Sequence, residues 1–244
     1  MASLTIISLN IERSKHLDLV TALLSKQQAD VVCLQEIMEE DIETMVSASG
    51  SVSHFFEPMA MRPDESARPM GIGIFSRLPI LRKDIQYYVG EPGVLRDSVQ
   101  LDESTYNYSN RMVLSAEVEK EGVNFRIATT HFTWTPVGDQ TDDFQRRDIQ
   151  ALFDVLETLG EFALLGDFNA ARGGEIFTMF ASRYKDNIPT HYTTSIDGSL
   201  HRAGALPHMV DGLFTTPTYT ASNVQLMSGV SDHCAIVATI TRGM

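Results

Sequence analysis

The segment FALLGDFN, residues 162–169, joins a short apolar run to a pair of polar side chains. Its first half has the length and composition typical of a buried β-strand. Asp167 and Asn169 follow where that strand ends. Taken alone, polar residues in such places are typical of turns and helix caps. Their meaning therefore depends on whether the pattern recurs elsewhere in the chain.

The same pattern occurs three more times. Asn10 closes the apolar run LTIISLN, Glu36 closes ADVVCLQE, and His131 ends VNFRIATTH. Carboxylate and amide oxygens are the hard ligands that Mg²⁺ and Mn²⁺ prefer, whereas a zinc site more often shows a Cys/His spacing that this sequence lacks. The repeated pattern predicts a Mg²⁺ or Mn²⁺ site at one end of a sheet.

Further reactive residues lie near the C-terminus. Asp211 stands inside the run MVDGLFTT, and Asp232 and His233 directly precede the last run, CAIVATI. A carboxylate beside a histidine fixes the tautomer of the ring and raises its basicity. These three residues are therefore candidates for proton transfer or for binding a metal.

The distribution of apolar residues predicts an α+β layered fold. Eight strand-like runs are spread along the chain, and Glu121-Gly122 is the tight turn of a predicted hairpin. Helical spacing is expected over residues 15–28, 40–48 and 141–159. Long loops are expected over residues 57–70, 90–110 and 173–208.

Composition and charge limit the function. The 244 residues are 43% hydrophobic, show no linker and are expected to form one domain, residues 1–244. The 19 Lys and Arg against 32 Asp and Glu give a net charge of −13, which removes the usual electrostatic footprint of a nonspecific nucleic-acid binder. No apolar run approaches the roughly 20 residues of a membrane span, and the N-terminus lacks a signal pattern. We expect a cytoplasmic protein.

Taken in order, SLNI, LQE, GIGIFSRLPI, TTHF, GDFN, MVDGLF and SDH resemble the signature of the endonuclease/exonuclease/phosphatase superfamily. This group contains DNase I, exonuclease III-like enzymes, inositol polyphosphate 5-phosphatases and neutral sphingomyelinases. The resemblance spans residues 4–240. It implies a four-layer α/β sandwich, with two mixed sheets packed face to face, helices outside, and an active site where the strand ends meet.

The resemblance also implies roles for metal and phosphate ligands. Glu36 would be the principal metal carboxylate, with Asn10 and Asp232 at the same Mg²⁺ or Mn²⁺ ion. Asp167 and Asn169 would hold the attacking water and the phosphate.

Two histidines complete the site that the resemblance implies. His233, oriented by Asp211, would share the proton of the attacking water with Asp167. His131 would hydrogen-bond a phosphoryl oxygen or assist the leaving group. Arg111 resembles an arginine that contacts the phosphate, although a solvated charge at a strand end is the alternative.

Residues 172–208 form a second candidate region. This window has a net charge of +1 in an acidic chain, and Arg172 and Arg202 could recognise an anionic substrate there. An ordinary solvated loop is the alternative. Trp134 could stack on a base or sugar, or it could cover the edge of a sheet.

The expected function is metal-dependent hydrolysis of a phosphodiester by in-line attack of water, as in a nuclease. A phosphomonoesterase or a lipid-headgroup phosphodiesterase is the alternative, and a catalytically silent binding module of the same fold is a third. The expected partner is a phosphoester substrate, either DNA or a small phosphorylated molecule. No obligate protein partner is expected.

Overall fold

The computed structural model describes residues 2–63, 66–99, 105, 108–136 and 140–243. Two six-stranded sheets form its centre. The strands of sheet A are β1 (Ser3–Asn10), β2 (Val31–Met38), β3 (Ser53–Arg62), β4 (Arg68–Ser76), β11 (Tyr219–Met227) and β12 (Ala235–Arg242). They lie in the order β11-β12-β1-β2-β4-β3, in which β1 and β2 are parallel and the other neighbours are antiparallel.

Sheet B has a similar plan. Its strands are β5 (Ile80–Val89), β6 (Arg111–Lys120), β7 (Val123–His131), β8 (Ala163–Asp167), β9 (Lys185–Asp186) and β10 (Asp211–Thr215). The order is β5-β6-β7-β8-β10-β9, and only β7 and β8 run parallel among the described pairs. Both sheets are therefore mixed.

Helices cover the outer face of each sheet. They are α1 (Leu17–Gln27), α2 (Ile42–Ser49), α3 (Asp143–Thr158) and α4 (Glu175–Arg183). One apolar cluster joins the facing sides of the two sheets, a second joins α1 and α2 to sheet A, and a third joins α3 and α4 to sheet B. Three apolar interfaces make four layers, which confirms the predicted α+β sandwich.

Several local predictions are confirmed and others are wrong. Helices α1 and α3 lie within the predicted ranges, and α2 ends one residue beyond its range. Glu121 and Gly122 turn between β6 and β7 with positive φ angles of 53° and 76°. The predicted loop over residues 57–70 is mostly β3 and β4 in its described part. The predicted loop over residues 173–208 contains α4 and β9.

Within the part of the chain that the structure describes, no helix is both long and apolar enough to cross a membrane.

Candidate active site

The ends of four strands from the two sheets converge on one cavity. Asn10 and Glu36 lie at or near the ends of β1 and β2, and His131 and Asp167 end β7 and β8. Within sheet B, Asp167 pairs in register with His131 on one side and with Asp211 on the other. The cavity has a volume of about 350 Å³. The predicted convergence of strand ends is thus seen in the structure.

The glycine of the GDFN segment, Gly166, lies where β8 comes very close to β7. A Cβ atom at this position would lie 2.0 Å from the carbonyl oxygen of Thr130 on the neighbouring strand. Any side chain would push β8 away from β7 and separate Asp167 from His131. The close approach of the two strands therefore depends on this glycine.

Glu36 reaches the cavity because β2 is irregular there. The register of β2 against β4 shifts between Leu34 and Ile37, and Glu36 adopts a left-handed conformation with φ of 54°. A bulge of this kind redirects a side chain that regular alternation would place on another face. Gln35, its neighbour, instead hydrogen-bonds across the sheet interface to Thr129, at 3.0 Å.

Asn10 connects the two sheets at the floor of the cavity. Its Nδ2 donates to Oδ2 of Asp167 at 3.0 Å and to Oε1 of Glu36 at 3.4 Å. Its Oδ1 accepts the backbone N–H of Glu12 at 3.1 Å. One lone pair of Oδ1 remains for a further interaction, so Asn10 could both orient the carboxylates and ligate a cation.

Asn169 holds the turn that follows β8. Its backbone N–H donates to Oδ1 of Asp167 at 2.8 Å, and its side-chain Nδ2 donates to the carbonyl of Phe132 at 3.0 Å. Its φ is 46°, a left-handed conformation that asparagine tolerates better than most residues. Asn169 thereby fixes one oxygen of Asp167 and leaves the other to face the histidines.

His233 is held by two carboxylates. Its Nδ1 lies 2.7 Å from Oδ2 of Asp211, and its Nε2 lies 3.9 Å from Oδ2 of Asp167. Burial opposes the charged ring, but Asp211 and Asp167 outweigh burial and raise the pKa of His233 well above its ordinary value. The Asp211 contact leaves Nε2 directed at Asp167 and available for proton transfer.

His131 has the opposite electrostatic behaviour. Its Nε2 lies 3.6 Å from Oδ2 of Asp167 and 4.0 Å from Oε1 of Glu36. Burial lowers the pKa of His131, and these carboxylates do not offset it. Burial also raises the pKa of Asp167, with Asp211 adding to the effect. Two histidines and a carboxyl with displaced pKa values can act together as an acid–base group.

The cavity also contains carboxyl groups close to one another. Burial raises the pKa of Asp232 to about 6, and the negative charges of Glu12 and Glu36 add to this rise. Glu36 is different: burial would raise its pKa, but Arg13, with Nη1 3.2 Å from Oε2, helps to lower it. Hard oxygen donors that repel one another are a suitable donor set for a divalent cation.

A second group of possible metal ligands overlaps the acid–base group. Ligand atoms of Asp167, Asp211 and His233 lie within 4.8 Å of one another. The hydrogen bond between Asp211 and His233 engages two of these residues with each other. The carboxylate oxygens of Glu36 and Asp232, which line the same cavity, suit Mg²⁺ better, because that ion prefers oxygen ligands to imidazole.

The structure brings three of the four residues expected to contact substrate to the cavity: Arg111, Trp134 and Arg202 all line it. Arg111 is buried, and its Nη1 donates to the carbonyl of His131 at 3.1 Å. It is therefore not the solvated charge of the alternative interpretation.

Arg172, which was also predicted to contact substrate, is not among the residues that line the cavity, so the structure adds no support to that prediction. Its guanidinium donates to the carbonyls of Ile188 and Tyr192, at 3.0 and 3.2 Å, and forms an ion pair with Asp186 at 2.8 Å. These contacts hold the chain that follows α4. In the structure Arg172 therefore stabilises this segment of the chain.

Sequence reasoning missed several residues that line the cavity. Glu12 and Arg13 follow Asn10 in two consecutive left-handed conformations, with φ of 48° and 62°. Their position directly after the Asn10 motif was an available signal. Arg62, Ser98 and Ser109 also line the cavity, and no motif marks them.

Comparisons with solved structures support the fold. The chain is 17% identical to an endonuclease/exonuclease/phosphatase from Beutenbergia cavernae, with a TM-score of 0.75 over 100% of this chain and 72% of that one. It is 13% identical to the mannosyl-6-phosphatase Bt3783 of Bacteroides thetaiotaomicron, with a TM-score of 0.72 over 98% and 99% of the two chains. It is 17% identical to the human Nocturnin catalytic domain, with a TM-score of 0.71 over 98% and 93%.

Sequence comparison identifies the family. No curated protein matches the chain. The model of the Endonuclease/Exonuclease/phosphatase family matches residues 7–233, which include every strand-end residue of the cavity described above. The chain belongs to the Endonuclease/Exonuclease/phosphatase family.

Proposed function

We propose that this chain is a divalent-metal-dependent phosphoesterase that hydrolyses a small phosphoester by in-line attack of water. The observation that carries the proposal is that the carboxyl groups of Glu36 and Asp232 line the same cavity as Asp167 and His233. Asp211 does not line the cavity and contacts Nδ1 of His233 at 2.7 Å. Hydrolysis at phosphorus needs a positioned water, neutralised phosphoryl oxygens and a stabilised leaving oxygen.

In this proposal Glu36, Asp232 and Asn10 hold Mg²⁺ or Mn²⁺. When bound, the ion neutralises charge on the phosphoryl oxygens. Asp167 and Asn169 orient the water.

The proton of the water goes to the group formed by Asp167 and Nε2 of His233, which lie 3.9 Å apart. Asp211 keeps the ring of His233 in place through Nδ1. His131 donates from Nε2 to a phosphoryl or leaving oxygen. Arg111, Arg202 and Trp134 contact the substrate around this centre.

The size of the cavity favours a compact substrate. About 350 Å³ lies at the lower end of the range of roughly 300–1,000 Å³ that is typical of small-molecule sites. A small phosphodiester is the first candidate substrate. A phosphomonoester is the second, because the buried arginines Arg13 and Arg111 in the cavity suit its additional negative charge.

A substrate panel tests the proposal. Purified protein with Mg²⁺ is assayed on bis-p-nitrophenyl phosphate, p-nitrophenyl phosphate, inositol phosphates and plasmid DNA. We expect turnover of a small ester and much slower cleavage of the plasmid. Stoichiometric metal binding without turnover of any ester would contradict the proposal and favour a binding module.

A further inference from the structure

The first turns of α3 carry two polar side chains on the face that the helix buries. The buried residues of α3 recur at helical spacing: Gln145, Asp148, Ile149, Leu152, Phe153 and Leu156. The four apolar ones pack against sheet B. Gln145 and Asp148 are only 1% and 2% exposed. Burying such groups costs free energy unless they form hydrogen bonds, so their partners explain why they are there.

Gln145 stands at a position where a glutamine side chain commonly caps its own helix. Asp142 is the N-cap residue of α3, and its side chain accepts the backbone N–H of Gln145 at 2.8 Å. In a capping box, a glutamine at this third position reaches back to the backbone N–H of the N-cap residue. Nε2 of Gln145 instead donates to residues outside the helix.

Gln145 joins the two chain segments that follow β7 and β8. Its Nε2 donates to the carbonyl of Thr133 at 2.9 Å and to the carbonyl of Asn169 at 2.9 Å. A carboxamide nitrogen has two hydrogens, so these two bonds use both. Thr133 lies two residues after His131, and Asn169 lies two residues after Asp167. One side chain therefore ties together the segments that follow two residues of the proposed reaction centre.

Asp148 holds the first of these segments a second time. Its Oδ2 accepts the hydroxyl of Thr133 at 2.6 Å, while its Oδ1 accepts Nε of Arg147 at 2.7 Å. Thr133 is buried, so water does not compete for its hydroxyl. Helix α3 thus holds Thr133 through both its carbonyl and its hydroxyl.

These bonds continue the pairing of β7 with β8 beyond the strand ends. The backbone N–H of Phe132 donates to the carbonyl of Asp167 at 2.8 Å, and Nδ2 of Asn169 donates to the carbonyl of Phe132 at 3.0 Å. The strands themselves end at His131 and Asp167. Gln145 provides the next connection along the chain, so the relative position of the two segments depends on it.

The segments that α3 holds carry side chains of the cavity. Trp134 directly follows Thr133, and both Trp134 and Asn169 line the cavity. Gln145 and Asp148 are not among the lining residues, so they can act only through the residues that they hold. A displacement of roughly 1 Å in a positioned group can lower a rate about a hundredfold.

We propose that Gln145 and Asp148 are positioning residues, which hold Asn169 and Trp134 in the geometry that the reaction needs. This inference rests on the proposed function, in which Asn169 orients the water and Trp134 contacts the substrate. It gives α3, a helix on the outer face of sheet B, a role in the reaction in addition to its packing.

The fluorescence of Trp134 tests the inference without requiring turnover. Trp134 is the single tryptophan of the sequence, so its quenching by acrylamide reports on the segment that α3 holds. Gln145→Met removes both donated hydrogen bonds and keeps a side chain of similar length. We expect the quenching constant of Trp134 to increase in this variant. We also expect kcat on the active ester to fall by about ten- to a hundredfold.

A second variant and a control assign these effects to the bonds from α3. Thr133→Val removes the hydroxyl that donates to Asp148, and it should change quenching and kcat in the same directions by less. Gln150→Met is the matched control, because Gln150 is exposed on the same helix and donates to Asp154 at 3.1 Å. It should change neither quantity. If Gln145→Met does not fold by circular dichroism, Thr133→Val decides.

The outcomes separate the two proposals. A purely structural role would lower the melting temperature but leave kcat and quenching at wild-type values in the folded variants, and this result would overturn the inference. Increased quenching with an unchanged kcat would also overturn it, because the held segments would not be needed for the reaction. A wild-type protein that hydrolyses no ester would overturn the proposed function, and quenching would still decide whether α3 holds the Trp134 segment.

Discussion

Asp167 is the residue on which the hydrogen bonds of the cavity converge. Asn10 and the backbone of Asn169 donate to its two oxygens, at 3.0 and 2.8 Å, and Nε2 atoms of His131 and His233 lie within 4.0 Å of it. Loss of either the charge of Asp167 or the imidazole of His233 should therefore remove proton transfer, while the surrounding backbone contacts remain.

The first prediction concerns these two groups. Asp167→Asn and His233→Ala should each lower kcat by at least about a hundredfold, which is the lower part of the range for positioned acid–base groups. Steady-state kinetics on the ester selected by the panel measures the effect. His191→Ala is the control, since His191 is exposed and does not line the cavity. A folded Asp167→Asn or His233→Ala protein with a wild-type rate would remove that residue from the mechanism.

The second prediction concerns Asp211 as a positioning residue. Asp211→Asn removes the carboxylate 2.7 Å from Nδ1 of His233, so the pKa of His233 should fall and kcat should drop by at least about tenfold with little change in KM. NMR titration of the histidine ring reports the pKa, and kinetics reports the rate. An unchanged pKa would show that the Asp211 contact does not control the charge of His233.

The residues at the strand ends could be predicted because their types and order form motifs. Arg13 could not be predicted in the same way, because its contact with Glu36 depends on a left-handed turn and on a bulge in β2. The partners of Arg172 could not be predicted for a related reason, because a positive charge in a loop does not reveal which carbonyls it will bind.

At the scale of elements, the strands that the sequence did not predict all lie at the edges of the two sheets. The eight predicted strands are the interior strands of the two sheets, and β3, β5, β9 and β11 are the four edges. Interior strands pack on two sides and read as continuous apolar runs. Edge strands keep polar residues toward solvent, as the exposed Arg82 and Lys83 of β5 illustrate, so the apolar signal is weaker.

Asp30 links elements of different sheets at the opposite end of β2 from Glu36. Its Oδ2 accepts hydrogen bonds from the backbone and hydroxyl of Thr5 in β1, at 2.7 and 2.9 Å, and from Nζ of Lys120 in β6 at 2.8 Å. Burial would raise the pKa of Asp30, but these partners outweigh burial and lower it.

The third prediction follows from this link. Asp30→Asn should reduce the free energy of unfolding by about 1–2 kcal/mol near neutral pH. Because the folded-state pKa is lowered, the contribution is present above the ordinary value of 3.8 and is lost as the pH falls through the folded-state pKa. Denaturant unfolding at several pH values measures it, with Glu119→Gln, an exposed neighbour on β6, as the control. A difference between wild type and Asp30→Asn that grows toward low pH would contradict this sign.

At the scale of the whole molecule, the chain carries a net charge of −13, whereas the proposed substrate is an anion. Long-range attraction cannot concentrate such a substrate at the site. Capture must depend on the cation and on local arginines such as Arg202, which lies on the exposed side of the cavity. Few counterions should therefore be released on binding.

The fourth prediction is a shallow salt dependence. The logarithm of kcat/KM should fall against the logarithm of salt concentration with a slope of about one to three charges. Arg202→Ala should raise KM more than it lowers kcat, while Arg82→Ala, an exposed arginine away from the cavity, should change neither. A slope of about six or more charges would contradict the expectation that few counterions are released on binding. An unchanged KM would show that Arg202 does not contact substrate.

Metal dependence tests the proposed chemistry most directly, and it can be measured as Mn²⁺ binding by electron paramagnetic resonance alongside hydrolysis of the active ester. We expect the wild type to bind Mn²⁺, to lose activity in EDTA, and to recover it with Mg²⁺ or Mn²⁺ better than with Zn²⁺. Glu36→Gln should lose both binding and activity, whereas Asp154→Asn, an exposed acid on α3, should retain both. Full hydrolysis by the wild type in excess EDTA would contradict a metal-dependent mechanism.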